Sequence, residues 1–362
     1  MKHVLIYSLL LIAGMLGSQF SDLSDFRAAI NLLTMICLAY IMIEVGLEFT
    51  LDKKNLKQYG NDYLVAMTAA AFPWFFCAAY FVFFFDQGWK DALLTGRFAA
   101  PTSAGVLFTM LAAAGLASTW LYKKARVLAI FDDLDTVLLM IPLKMMIVGL
   151  KPELALIVLM IGALLYAAYR WLHVLKWRVE KKWLLVYGAV ITVVCDILYR
   201  TTHIHMEVLL PAFVMGCVLY FDHQEAVEDH ESPKHDQTLD HLIKGLFMLL
   251  VGLSLPKIDL AGLHWGMVIG HVLALTVLSN LGKCYASFCY QKEAGLKERI
   301  ALSVAMFPRG EVGAGVLLVS IGYGLTGFPV TVAALSLALN LLLTGVFISV
   351  IMRLTKHERT LQ

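Results

Sequence analysis

Three carboxylates, Asp132, Asp133 and Asp135, stand in the apolar run that follows Lys124. Carboxylates at bilayer depth are costly and mark ion or proton pathways. One paired carboxylate is enough to join two helices, and adjacent like charges repel. A triad kept only as glue is therefore the weaker reading. A lysine, Lys283, lies within a second apolar run, Leu281-Gly282-Lys283-Cys284. Two further apolar runs are broken near their middles by proline and glycine. One reads Phe98-Ala-Ala-Pro101-Thr102-Ser103-Ala-Gly105, the other Phe307-Pro308-Arg309-Gly310-Glu311-Val-Gly313-Ala-Gly315. Proline removes a backbone donor and clashes with the preceding turn, and glycine loosens the helix. Helices broken in this way expose carbonyls and half-helix ends that can coordinate a small cation. Arg309 and Glu311 would neutralise each other or the broken helix ends. The chemistry on offer is reversible binding of protons and small cations.

These groups need a membrane to make sense. The chain of 362 residues is 60% hydrophobic and 15% charged, with a mean hydropathy of +0.75. Continuous apolar runs exclude a membrane β-barrel, whose strands alternate. A net charge of +2 leaves no nucleic-acid footprint. The six cysteines lie singly in apolar stretches without zinc spacing and read as small core residues. No metal cluster, nucleotide-binding glycine loop or nucleophile elbow occurs, so neither an enzyme nor a resident cofactor is expected.

Apolar segments cover residues 4–18, 28–49, 63–85, 91–117, 124–148, 153–174, 183–199, 207–221, 240–254, 262–289, 299–323 and 328–352. Most approach the ~20 residues a bilayer needs. A signal peptide is the other reading of the first, with Lys2 and His3 as its basic flank, but no Ala-x-Ala site follows. Basic residues cluster in alternate loops: Lys53, Lys54 and Lys57; Lys123, Lys124 and Arg126; Arg170 to Lys182; Lys292, Lys297 and Arg299; and the tail. Twelve spans with both termini cytoplasmic satisfy the positive-inside rule. The remaining cytoplasmic loop, 222–240, is acidic and carries His223, His230 and His235. A solvated linker is the favoured reading of that loop over a pH sensor.

Loop charges also set depth. Asp132 lies eight residues beyond Lys124, roughly 12 Å along a helix. Lys283 lies nine residues before Lys292 on a segment running the other way, roughly 13–14 Å from the same surface. Lysine and carboxylates thus meet at one level and are expected to pair, since each charge alone would be expensive. Snorkelling of Lys283 to the cytoplasm is the alternative. The two interrupted segments fall one in each half and cross in opposite directions, the sequence pointer to inverted repeats in a secondary transporter.

At these residues the chain resembles the cation/proton antiporter superfamily, the bacterial sodium/proton antiporters. Ala129-Ile-Phe-Asp132-Asp133-Leu is similar to that family's paired-aspartate motif, and Gly282-Lys283 to its lysine helix. Pro308-Arg309-Gly310-Glu311-Val312-Gly313 resembles the Arg-Gly-Glu-Val-Gly run of the antiporter-2 branch. Ile43-Glu44-Val-Gly46-Leu47-Glu48, Gly252-Leu253-Ser254-Leu255-Pro256 and Pro211-Ala-Phe-Val-Met-Gly216 match further elements in the right order. The resemblance implies an all-α polytopic fold with inverted repeats at about 63–148 and 240–352 and two crossed broken helices. The other helices would form a dimer or gate domain, and the protein a homodimer in the bacterial inner membrane. It implies Asp133 as the main cation and proton carboxylate, with Asp132 its partner and paired to Lys283. Thr102 and Ser103 would lie at the crossing of the broken helices. Asp135 departs from the family pattern, which has a small residue there, and is a third candidate titrating group. One early span of the thirteen-helix branch is also missing.

The expected activity is exchange of sodium or lithium for protons. Burial favours the protonated carboxyl, a cation favours the charged form, and the two exclude each other. A potassium/proton antiporter would use the same scaffold. Gated potassium-efflux relatives carry a nucleotide-binding domain, and the chain stops at Gln362. An intramembrane aspartyl protease would need its two aspartates on separate helices with a Gly-x-Gly-Asp motif, which is missing. A channel would need a filter signature, also missing.

Overall fold

A computed structural model of the chain describes residues 2–21, 23–48, 56–103, 119–139, 174–202, 208–220, 234–254 and 265–355, with isolated positions between 107 and 172. Gly105, the loop 221–233, Lys53, Lys54 and the tail beyond residue 355 lie outside the described residues. Apart from an isolated parallel bridge between Leu175 and Leu219, the described backbone is helix, turn or loop. Among the described residues four helical stretches, Arg27–Leu47, Gly60–Phe85, Trp265–Phe288 and Phe328–Leu354, are long and apolar enough to cross a bilayer. Phe83, Leu159, Val277 and many other large apolar side chains face outward. That is unfavourable in water and natural against lipid. The protein is a multi-pass membrane protein.

The chain divides into two compact units. The first comprises Met1–Ile12, Asp52–Leu143 and Leu255–Gln362. Its helices are α3 (Leu56–Phe85), α4 (Trp89–Gly96), α5 (Trp120–Leu138), α9 (Trp265–Lys283), α10 (Leu296–Ala305), α11 (Glu311–Gly322) and α12 (Phe328–Leu354). Helix α3 packs on α4, α5 and α9; α12 packs on α9, α10 and α11. Helix α3 starts about two turns earlier than the apolar run suggested, taking in Asn61 and Asp62. A carboxylate inside a helix reads from sequence as a boundary, but this one is buried and paired with Lys124. At the other interruption, residues 306–310 part the predicted span 299–323 into α10 and α11. The Glu298 carboxylate accepts from the Gly295 N–H at 2.7 Å and starts α10. Gly327, at φ +86, turns the chain into α12, where Pro329 sits in the first turn.

The second unit comprises Ala13–Leu51 and Lys144–Ser254. Helix α1 (Lys2–Phe20) runs from the first unit's sequence into it. Its central helix is α2 (Arg27–Glu48), packed against α6 (Lys181–Thr202), α7 (Leu209–Val218) and α8 (Lys234–Leu253). Helices α2 and α7 touch backbone to backbone. A Cβ on Gly46 would strike the Phe213 carbonyl, and one on Gly216 the Ile43 carbonyl. Small residues permit such close approach where lipid offers no hydrophobic drive. One end of this unit holds a charged cluster: Glu44 is paired with Lys181 and, at 3.0 Å, with Lys244. Lys244 also meets Asp240 at 3.0 Å, and the Tyr40 hydroxyl lies 3.1 Å from Glu44 and 3.2 Å from Asp240.

Candidate cation and proton site

In the first unit the two interruptions meet. Helix α4 tightens into a 3-10 turn at Arg97–Ala99, and Pro101, Thr102 and Ser103 leave the helical path. The Ser103 N–H donates to the Pro308 carbonyl at 2.8 Å. The Thr102 hydroxyl lies 3.2 Å from the Met306 carbonyl. Glycine makes the crossing this tight: a Cβ on Gly310 would lie 2.7 Å from Ser103 Oγ, and one on Gly313 3.0 Å from the Phe98 carbonyl. Backbone groups freed by each break are thus met partly by the other break, as a dry interior requires.

Helix α5 brings the carboxylates to this point. Asp132, Asp133 and Asp135 are all buried, Asp132 and Asp133 completely. Asp132 Oδ2 accepts from Lys283 Nζ at 2.7 Å and from Thr102 Oγ1 at 2.6 Å. Its other oxygen, Oδ1, is buried with no hydrogen-bond partner among the described residues. Asp135, one turn further along α5, accepts a hydrogen bond from Tyr63 of α3. Lys283 is wholly buried and does not snorkel. Its second bond goes to the Ala100 carbonyl at 2.6 Å, at the end of the first interrupted helix. Its position depends on Gly282: a Cβ there would come within 2.7 Å of Pro73 Cα and Cδ on α3. Without one, α9 lies directly on α3.

Arg309 is held by carbonyl oxygens. It is wholly buried and donates to the Ala99, Phe307 and Ser279 carbonyls at 2.9, 2.7 and 2.7 Å, and to Asn280 Oδ1 at 2.8 Å. Four carbonyl oxygens thus neutralise it, three of them from main chain at or near the helix ends. Glu311 opens α11, but its side chain lies outside the described residues. Arg309 and Lys283 together bind consecutive carbonyls, Ala99 and Ala100. Two cations therefore sit at the negative end of the first half-helix.

Sequence reasoning missed several members of this centre. Asn280 joins Arg309 to Asn340 of α12, whose amide lies 3.3 Å away. Arg97, also buried, donates to the Thr136 carbonyl at 3.1 Å. Asn280 lies one turn before Lys283, and a polar residue at that spacing is the signal that was available. Among the described residues no three His, Cys, Asp or Glu side chains converge to hold a metal. A cation here would draw on carboxylate, hydroxyl and carbonyl oxygens together.

Interrupted helices that meet around a buried carboxylate and lysine define a polytopic secondary transporter. Residues 5–355 match the family model described as sodium/hydrogen exchanger, transmembrane, and the chain belongs to that family. Its class of activity is cation/proton exchange, and its family and fold are those of transporters. No curated protein matches it by sequence. Among solved structures it is similar to the sodium proton antiporter MjNhaP1 from Methanocaldococcus jannaschii at pH 8. That likeness has 14% identity and a TM-score of 0.63 over 96% of this chain and 90% of that one. An electron-microscopy structure of MjNhaP1 matches with 15% identity and a TM-score of 0.54, over 96% and 88%. At such identities the likeness speaks for the fold.

Proposed function

We propose that this chain exchanges sodium or lithium for protons by competition at Asp132 and Asp133. The observation that carries this reading is the Asp132 carboxylate. It is removed from solvent and shared between Lys283 and Thr102 where the two helix breaks meet. A proton or a sodium ion can neutralise such a carboxylate, and each excludes the other. Asp133 is the principal cation carboxylate, and the adjacent groups titrate as a set. Thr102 and Ser103 supply oxygens at the crossing. Opening of the Asp132–Lys283 pair would release a second proton and make exchange electrogenic. Each net charge moved is then worth about 2.3 kcal/mol per 100 mV, which drives sodium out of the cell.

The first unit, which contains all of these residues, is assigned as the transport core; the expected repeats at about 63–148 and 240–352 fall largely within it, while residues 144–148 and 240–254 go with the second unit. The second is assigned as the scaffold through which two copies pair. Loop charges support a cytoplasmic position for both termini, and the resemblance to bacterial antiporters supports residence in a bacterial inner membrane.

The test uses membrane vesicles with an imposed pH gradient and pulses of sodium, lithium or potassium, with and without a voltage clamp. Sodium and lithium should collapse the gradient and potassium should not. A gradient indifferent to sodium and lithium removes the proposal. Asp133→Asn should abolish exchange in a protein that still inserts; undiminished exchange would defeat the site assignment.

A further inference from the structure

A second buried ion pair bridges the helices that carry the site. Asp62 of α3 and Lys124 of α5 are both buried, with Lys124 Nζ 3.0 Å from Asp62 Oδ1 and 3.2 Å from Oδ2. The Tyr290 hydroxyl donates to Asp62 Oδ1 at 2.8 Å. The same lysine lies 3.1 Å from Glu293 and 4.5 Å from the centre of the Tyr290 ring. Trp120 Nε1 donates to Glu293 at 3.3 Å, and its ring meets Tyr290 edge to face. Tyr290 and Glu293 belong to the turn after α9, continuous with Lys283 through the 3-10 turn Cys284–Phe288. Tyr290 has a left-handed backbone, φ +59. A tyrosine holds that conformation only where its surroundings over-determine it.

Helices α5 and α9 are therefore tied at two levels. One tie is Asp132–Lys283. The other lies eight residues earlier on α5, roughly 12 Å away. In the proposed competition the first is set directly against the binding of a cation at Asp132. The second involves no group of the site. Two carboxylates and a tyrosine hold a single ammonium, an arrangement costly to break because one partner would be left buried and alone.

We infer that Asp62, Lys124, Tyr290 and Glu293 form a clamp that sets the register of α9 against α5, and through it the hold of Lys283 on Asp132. These are positioning residues, and they touch neither cation nor transported proton. The inference rests on competition at Asp132, in which Lys283 is a tethered rival of the cation. Loosening the clamp weakens the rival.

The test is sodium-dependent exchange in vesicles at alkaline pH, where protons compete least, for Asp62→Asn, Lys124→Met and Tyr290→Phe. The expected result is an apparent KM for sodium lowered roughly three- to tenfold, within the range for residues acting through packed neighbours. The maximal rate per inserted protein should stay within about twofold, with Tyr290→Phe the mildest of the three. Asp62→Glu should keep the wild-type KM. If KM is unchanged in all three, or only the amount of inserted protein falls, the clamp does not position Lys283. Tyr290→Phe loses one hydrogen bond and no charge, so it reports even if the charge variants do not insert. Failure of the competition reading shows separately, as wild-type exchange that does not respond to sodium.

Discussion

Lys283→Met removes the only ammonium bound to Asp132 among the described residues, while Thr102 still donates to the same oxygen at 2.6 Å. Both partners are fully buried, so water cannot replace the lost charge. Breaking a buried pair from one side costs about 3–5 kcal/mol. Asp132→Asn breaks it from the other side and leaves Lys283 with the Ala100 carbonyl at 2.6 Å, so its cost falls at the lower end of that range. In the double variant neither charge is orphaned, and part of the summed loss should return. The coupling between the sites should be about 2–3 kcal/mol, near the top of the range for residues in direct contact. The assay is thermal unfolding of the four proteins in detergent, at one pH and salt concentration. If the double variant loses as much as the two single variants added together, the pair is not what stabilises the centre.

Three further outcomes follow from the same geometry. The apparent KM for sodium should rise as pH falls, approaching ~tenfold per pH unit where one proton competes with one cation; a KM flat across pH would rule out shared occupancy. Gly282→Val should abolish exchange and destabilise the protein by about 1–3 kcal/mol, because Pro73 backbone and ring atoms cannot yield to a new side chain as a flexible side chain could; unaltered exchange would show that α9 has room to move. In the second unit, Glu44→Gln should leave Lys181 and Lys244 sharing Asp240 and lower the melting midpoint, by an amount corresponding to about 3 kcal/mol. Lys244→Met should then return part of that loss, and its failure to do so would show the cluster to be uncoupled.

The sequence by itself determined that Lys283 and the α5 carboxylates share a level. Loop charge gives each helix an expected direction, and the rise per residue is constant, so depth is countable along the chain. The two interruptions were legible for a similar reason, since proline and glycine act on their own backbone. Rotation about a helix axis and the approach of one helix to another are not countable in this way. Only the tertiary structure decided that Lys283 bonds Asp132 and the Ala100 carbonyl, and that Arg309 bonds main-chain carbonyls and Asn280. It also placed Asp62, one residue outside the predicted span 63–85, as a buried partner of Lys124. Each of those outcomes depends on which faces meet, and in a membrane that is set by close packing and by the need to satisfy every buried charge and carbonyl.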